Sequence, residues 1–176
     1  MKSKYKILPV MAAALLLISA CGNPALQHLN QGDSYAEQEL WDEAILEYTQ
    51  AIELDPELAM AYNNRGWAYG EKGQWDLAIA DLSKAIELDP EYAWAYNSRG
   101  WAYNGRGQYD LAIANLSEAI ELDPECVEAY YNRAYAYYEK GQYDLAIADL
   151  NKVIELSTDP SLTQLAREAI EFIESE

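Results

Sequence analysis

Basic residues, histidine and cysteine are scarce in this chain of 176 residues, and each scarcity argues against a class of function. Twelve lysines and arginines stand against thirty aspartates and glutamates, so the net charge is −18. A field of that sign repels the phosphates of nucleic acids and of anionic lipid headgroups. One histidine and two cysteines provide no cluster that could ligate zinc. We therefore expect no nucleic-acid partner and no metal site.

Residue patterns that support catalysis are also missing from the sequence. No nucleophile is accompanied by a candidate base, and there is neither a glycine-rich phosphate loop nor a calcium-binding loop. The many carboxylates recur at regular intervals that are typical of solvated helix surfaces. The sequence therefore predicts a protein that is not an enzyme and that needs no cofactor.

The first twenty residues have the organisation of an export signal. Lys2, Lys4 and Lys6 precede an apolar run from Ile7 to Ile18. This run of twelve residues is too short to cross a hydrocarbon core of about 30 Å, which needs a helix of about 20 residues. Residues 1–20 are therefore predicted to be a targeting segment rather than a membrane anchor.

The end of this segment, Ile18-Ser19-Ala20-Cys21, resembles the signal of bacterial lipoproteins. The resemblance implies cleavage before Cys21, acyl chains on that cysteine, a short lipidated linker over residues 21–24, and attachment to a membrane of the bacterial cell envelope. An ordinary secretory signal followed by an incidental cysteine is the alternative. Without residues 1–20 the chain keeps nine basic and thirty acidic residues, a net charge of −21.

The rest of the chain repeats itself every 34 residues. Residues 59–92 and 93–126 are identical at 25 of 34 positions, and the same register extends over 25–58 and 127–160. A fixed period of this length indicates a small unit that buries its apolar face by stacking on its neighbours. We therefore expect one domain over residues 25–176, made of four such units and a final segment, 161–176.

The residue pattern of each unit predicts a hairpin of two helices. In the second unit, Gly66 allows a neighbouring helix to approach closely, and Gly73 can end the first helix. Asp76 is placed to cap the second helix, and Pro90 closes the unit.

The pattern resembles that of tetratricopeptide repeats. The resemblance implies an all-α, right-handed solenoid in which the first helices line the inner face. Its signature positions are Tyr62, Gly66, Tyr69, Ala78, Leu82, Ala85 and Pro90 in the second unit; Tyr96, Gly100, Tyr103, Ala112, Leu116, Ala119 and Pro124 in the third; His28, Gly32, Tyr35, Ala44, Tyr48, Ala51 and Pro56 in the first; and Tyr130, Ala134, Tyr137, Ala146, Leu150, Val153 and Pro160 in the fourth.

One departure from the family pattern is an arginine beside the core stripe. A buried guanidinium needs a partner, and we expect a structural role rather than ligand binding. The predicted pairs are Arg65 with Asp81, Arg99 with Asn115, and Arg133 with Asp149.

Residues 161–176 are predicted to form a helix that covers the end of the stack. Its expected contact residues are Leu162, Leu165, Ala166, Ala169 and Ile173, with Arg167 and Glu171 on the solvent side. Elsewhere, His28 and Cys126 are interpreted as packing residues.

Large aromatic residues and amides recur off the core direction of the first helices, which predicts a groove that binds a partner. An amide can donate to and accept from a peptide backbone at once. Alternatively, the amides are merely solvated, and Trp67 and Trp101 only cover the preceding hairpin. The predicted groove residues are Met60, Asn63, Asn64, Trp67, Trp94, Asn97, Ser98, Trp101, Tyr131, Asn132, Tyr135 and Tyr138.

These features favour a membrane-tethered interaction module or scaffold that binds a peptide segment of another protein. No lysine lies on the predicted inner face, so neutral or basic segments are expected rather than acidic chain ends. A small ligand or a cell-wall glycan stacked on the aromatic groove is the alternative function.

Overall fold

The computed structural model describes residues 23–175, and in that range the chain forms nine α-helices and no strand. The predicted signal segment and Cys21 lie outside these residues. Helices pair in chain order as hairpins, each hairpin packs on the next, and the last helix packs on the one before it. The predicted all-α solenoid of four hairpins with a closing helix is confirmed. The helices are α1 (Pro24–Ala36), α2 (Trp41–Leu54), α3 (Ala59–Glu71), α4 (Trp75–Leu88), α5 (Ala93–Gly105), α6 (Tyr109–Leu122), α7 (Val127–Glu139), α8 (Tyr143–Leu156) and α9 (Pro160–Glu174).

The turn inside the second, third and fourth hairpins contains a glycine with positive φ, whereas Glu39 takes this conformation in the first hairpin. Gly73 has a φ of +70°, a conformation that residues with a Cβ rarely adopt, and Gln74 N–H donates to the carbonyl of Tyr69 at 2.9 Å. The predicted cap at Asp76 is wrong. The second helix begins earlier, with Gln74 at the N-cap, so Asp76 lies inside the first turn, where its carboxylate still faces the positive end of the helix. It pairs instead with Arg106 of the next hairpin, at 2.8 Å.

The core of a hairpin combines small residues with one large one. Ala78, Leu82 and Ala85 of α4 are fully buried. A Cβ built on Gly66 would lie 2.8 Å from Leu82 Cγ, so only glycine allows α3 to approach α4 this closely. The predicted close approach at Gly66 is confirmed.

The predicted arginine pairs are confirmed, and each arginine also reaches the preceding hairpin. Arg65 donates from Nε and Nη2 to the Asp81 carboxylate at 2.6 and 2.9 Å, and from Nη1 to Thr49 Oγ1 at 3.1 Å. Because Thr49 lies on α2 and Asp81 on α4, one guanidinium joins the second helices of two consecutive hairpins. The same arrangement joins Arg99 to Asn115 (2.7 Å) and Ser83 (3.1 Å), and Arg133 to Asp149 (2.8 Å twice) and Ser117 (2.9 Å).

Helix α9 closes the stack, but not with every predicted residue. Ala166 and Ile173 are buried and Ile170 is partly buried, whereas Leu165 is 46% exposed. The stripe that meets the fourth hairpin passes through positions 162, 166, 169, 170 and 173, which places Leu165 outside it at 100° per residue. The prediction for Leu165 is therefore wrong.

The two predicted packing residues, His28 and Cys126, differ in burial. His28 is partly buried, and its Nδ1 lies 2.6 Å from Glu47 Oε2. Cys126 is buried at the N-cap of α7, and burial raises the pKa of its thiol.

Candidate functional site

Three consecutive first helices, α3, α5 and α7, lie side by side and line a cavity of about 260 Å³, here called the central pocket. Helix α3 contributes Trp67 and Glu71, and α5 contributes Trp94 and Trp101. Glu128 comes from α7. The pocket therefore spans three hairpins, and its shape depends on how they stack.

The aromatic residues of the groove pack in edge-to-face pairs across successive hairpins. The ring of Trp67 meets that of Trp41 with centroids 5.0 Å apart and an angle of 88° between the planes. The pairs Trp101 with Trp75 (5.3 Å) and Tyr135 with Tyr109 (6.3 Å) repeat this contact. Trp67 nevertheless stays 37% exposed and Tyr135 46% exposed. These rings thus cover the preceding hairpin, as the alternative interpretation supposed, and also present surface to the groove.

Trp101 is the most firmly packed of these rings. It lies against Gly70 of the preceding first helix, where a Cβ would overlap the ring. Its partner Trp75 lies against Gly105, where a Cβ would fall 2.6 Å from Trp75 Cη2. The two glycines therefore make room for the indole pair, and Trp101 contributes to stacking as well as to the pocket.

Met60 and Trp94 are the most accessible apolar side chains on α3 and α5, which are the first helices of the second and third hairpins. Both are 47% exposed, both lie at the second position of their helix, and neither takes part in the ring pairs between hairpins. Their apolar surface is therefore available to a ligand without disturbing the stack.

Most of the predicted polar residues, which are the amides and Ser98, lie below the surface of the groove. Asn63, Asn97 and Ser98 are 8%, 5% and 7% exposed, because the neighbouring first helices pack over them. Asn64 accepts from Asn63 Nδ2 at 3.0 Å and donates to Asp33 Oδ1 at 2.8 Å. These side chains form the floor of the groove rather than an accessible row of hydrogen-bonding groups.

A second amide chain, around Asn132, links the third and fourth hairpins. Asn132 Nδ2 donates to Asn97 Oδ1 at 3.1 Å, and Asn104 Nδ2 donates to the Asn132 carbonyl at 2.8 Å. Asn104 was not among the predicted groove residues, although it is buried like Asn97. Because the amides bond to one another across the hairpins, they fix the spacing of the helices that form the groove.

At the C-terminal end the groove meets an apolar cavity of about 170 Å³ between the fourth hairpin and α9. The ring of Phe172, which is 55% exposed, lies 6.2 Å from that of Tyr138. Sequence reasoning predicted Tyr131, Tyr135 and Tyr138 here but not Phe172, because α9 was considered only as a cover.

Charge on the groove is negative. Glu71 and Glu128 line the central pocket, and partial burial together with the nearby Glu39 raises the pKa of Glu71. No lysine or arginine is among the described residues that line this pocket. Of the nine basic side chains within 23–175, eight pair with other side chains: Arg65, Lys72, Lys84, Arg99, Arg106, Arg133, Lys140 and Lys152.

Within residues 23–175 no group of three or more histidine, cysteine or acidic side chains is placed to hold a metal ion. In that part of the chain no helix has the length and apolar character needed to cross a bilayer.

Family models described as "TPR repeat" match residues 32–73 and 100–141, and models described as "Tetratricopeptide repeat" match 59–92, 127–158 and 82–114. The chain belongs to the tetratricopeptide repeat family. None of the curated protein sequences compared with this tetratricopeptide repeat protein gives a significant match.

Solved structures with similar folds come from several proteins. The crystal structure of MamA is 30% identical, with a TM-score of 0.68 over 82% of this chain and 85% of that one. The first repeat domain of Spaghetti (RPAP3), bound to the HSP90 peptide SRMEEVD, is 28% identical, with a TM-score of 0.65 over 67% of this chain and 94% of that one. The corresponding domain of Arabidopsis OM64 is 27% identical, with a TM-score of 0.63 over 69% and 99%.

Proposed function

We propose that this protein is an interaction module that receives a peptide segment of a partner protein in the groove formed by its first helices. Lipid on Cys21 would tether the module to a membrane of a bacterial envelope. The observation that carries the proposal is the exposed apolar surface of Trp94, which lines the central pocket, and of Met60, the equivalent residue of α3. Apolar and aromatic surface that is exposed within a concave site usually serves binding.

Two further observations support a peptide as the ligand. A structurally similar repeat domain is bound to a short peptide in its solved structure. An intermediate cavity lined by Trp101, Tyr131 and Tyr135 joins the central pocket to the apolar cavity beside Phe172, so successive side chains of one extended segment can find separate contacts. The peptide in the similar structure, SRMEEVD, carries three acidic residues. With Glu71 and Glu128 in its groove, this protein should prefer a neutral or basic segment.

The test uses peptides selected from a random library on the full chain. Their affinities are measured by calorimetry for the natural protein and for a groove variant, Met60→Ala with Trp94→Ala. Truncation of interface anchors typically costs about 1–2 kcal/mol each, so we expect binding to weaken at least about tenfold. Neither side chain belongs to the buried core, so unfolding by urea should be nearly unchanged.

A matched control comes from the second helices. Leu77 and Leu111 are 50% and 47% exposed, which makes them as accessible as the two groove residues. The variant Leu77→Ala with Leu111→Ala removes comparable apolar surface away from the first helices and should leave peptide affinity unchanged. The proposal fails if this control weakens binding as much as the groove variant does. It also fails if selection yields no peptide whose binding depends on Met60 and Trp94.

A further inference from the structure

The central pocket combines indole rings with carboxylates that have no basic side chain beside them. Trp67, Trp94 and Trp101 line it together with Glu71 and Glu128, and these side chains come from three different helices. We propose that this pocket recognises an arginine side chain of the bound partner. The inference rests on the proposed function and adds the chemical class of the residue that is recognised.

Charge complementarity argues for a cation. Glu71 and Glu128 approach the pocket from α3 and α7, on either side of α5. Arg65 and Arg133, which lie on the same helices, turn into the hairpins and bind Asp81 and Asp149. The carboxylates of the pocket therefore keep their negative potential, and a ligand with the opposite charge meets no competing internal partner.

The aromatic lining argues for arginine rather than lysine. A guanidinium is planar, stacks on indole faces and binds carboxylates through two parallel hydrogen bonds, whereas an ammonium is compact and strongly hydrated. Trp94 is 47% exposed and takes part in no ring pair between hairpins, so a face of its indole is free to receive such a group. A cavity of about 260 Å³ is also large enough for one long side chain.

The experiment compares three dodecapeptides that differ only in two positions, occupied by arginine, citrulline or lysine, each carrying a neutral fluorophore. Citrulline keeps the size and shape of arginine without its charge. Affinity for the full chain is measured by fluorescence anisotropy at physiological ionic strength. We expect the arginine peptide to bind at least about tenfold more tightly than the citrulline peptide and several-fold more tightly than the lysine peptide.

Matched charge variants distinguish recognition in the pocket from the general attraction between a basic peptide and a strongly acidic protein. Glu71→Gln with Glu128→Gln removes two negative charges from the pocket. Glu53→Gln with Glu121→Gln removes two from exposed positions on α2 and α6. The pocket variant should lose about tenfold in affinity for the arginine peptide, and the control less than about twofold.

The possible results divide clearly. Equal losses in the two charge variants, or equal affinity for the arginine and citrulline peptides, would overturn the arginine site. If library peptides still depend on Met60 and Trp94 in that case, the peptide groove survives and only the arginine assignment is lost. If they do not, both proposals fall together.

Discussion

Removing the carboxylate of Asp149 should be among the most damaging single changes in the stack. Asp149 and Arg133 have side chains that are 8% and 17% exposed, and they share two hydrogen bonds of 2.8 Å. The change Asp149→Ala leaves the guanidinium in place with only Ser117 Oγ, at 2.9 Å, as an acceptor. Breaking a buried pair on one side costs about 3–5 kcal/mol, and the residual exposure of Arg133 places the expected loss at the lower end of that range.

The third hairpin provides a natural reference for a smaller change. There an amide already replaces the carboxylate: Arg99 donates to Asn115 Oδ1 at 2.7 Å, and Asn115 Nδ2 donates to the Leu111 carbonyl at 2.7 Å. The substitution Asp149→Asn can adopt the same arrangement, so it should cost only about 1–2 kcal/mol. Replacing both partners, as in Arg133→Leu with Asp149→Leu, should cost less than about 1 kcal/mol, because no unpaired charge remains.

Urea unfolding followed by circular dichroism measures these differences, provided that the slope of the transition stays the same among the variants. Because a stack of repeats can unfold in parts, amide hydrogen exchange should also show the loss concentrated in α7 and α8. If Asp149→Ala unfolds at the same urea concentration as the natural protein, Arg133 does not need its carboxylate partner. If the double leucine variant is as unstable as the single alanine variant, the loss does not come from an unpaired charge.

Gly70→Ala should destabilise the protein by about 1–3 kcal/mol, because the Cβ of alanine would overlap the Trp101 ring. This loss should exceed the gain from the better helix propensity of alanine. Unchanged thermal unfolding would contradict the packing described for the indole pair. Glu71→Gln should stabilise the protein near neutral pH. The raised pKa of Glu71 means that the folded state holds its proton more tightly than the unfolded chain, so wild-type stability falls as pH rises through that pKa. The difference between variant and natural protein should therefore shrink as pH is lowered, and a difference independent of pH would exclude this cause. Labelled palmitate should be incorporated into the natural protein expressed in a bacterium and not into Cys21→Ser; equal labelling of both would exclude lipid on Cys21.

The architecture could be predicted because its determinants are local and repeated. Gly73 and Pro90 act through their own backbone, and Gly66 acts through the missing Cβ that lets α3 approach α4, so a period of 34 residues places every hairpin in turn. The arginine pairs followed from one rule, that a buried charge needs a partner. Asp76 was misassigned because sequence fixes a helix start only to within a residue or two.

The groove was less predictable because it depends on contacts between hairpins. The ring pairs join residues 26 positions apart, and nothing in one unit indicates them. A usable signal existed in the sequence: Trp41, Trp75 and Tyr109 recur at intervals of 34, as do Thr49, Ser83 and Ser117. The burial of Asn63 and Asn97 arises because adjacent first helices cover them, so helix periodicity within a single helix could not reveal it.

The ion pair between Asp76 and Arg106 belongs to a series in which Asp42 binds Lys72 and Asp110 binds Lys140. Asp144 occupies the same place on the last hairpin, where α9 follows instead of a further unit. The fourth hairpin thus keeps the acidic residue of an ion pair whose basic residue would come from a following hairpin. A duplicated unit inserted after it would carry the matching basic residue, so this protein could lengthen by gene duplication without inventing a new contact.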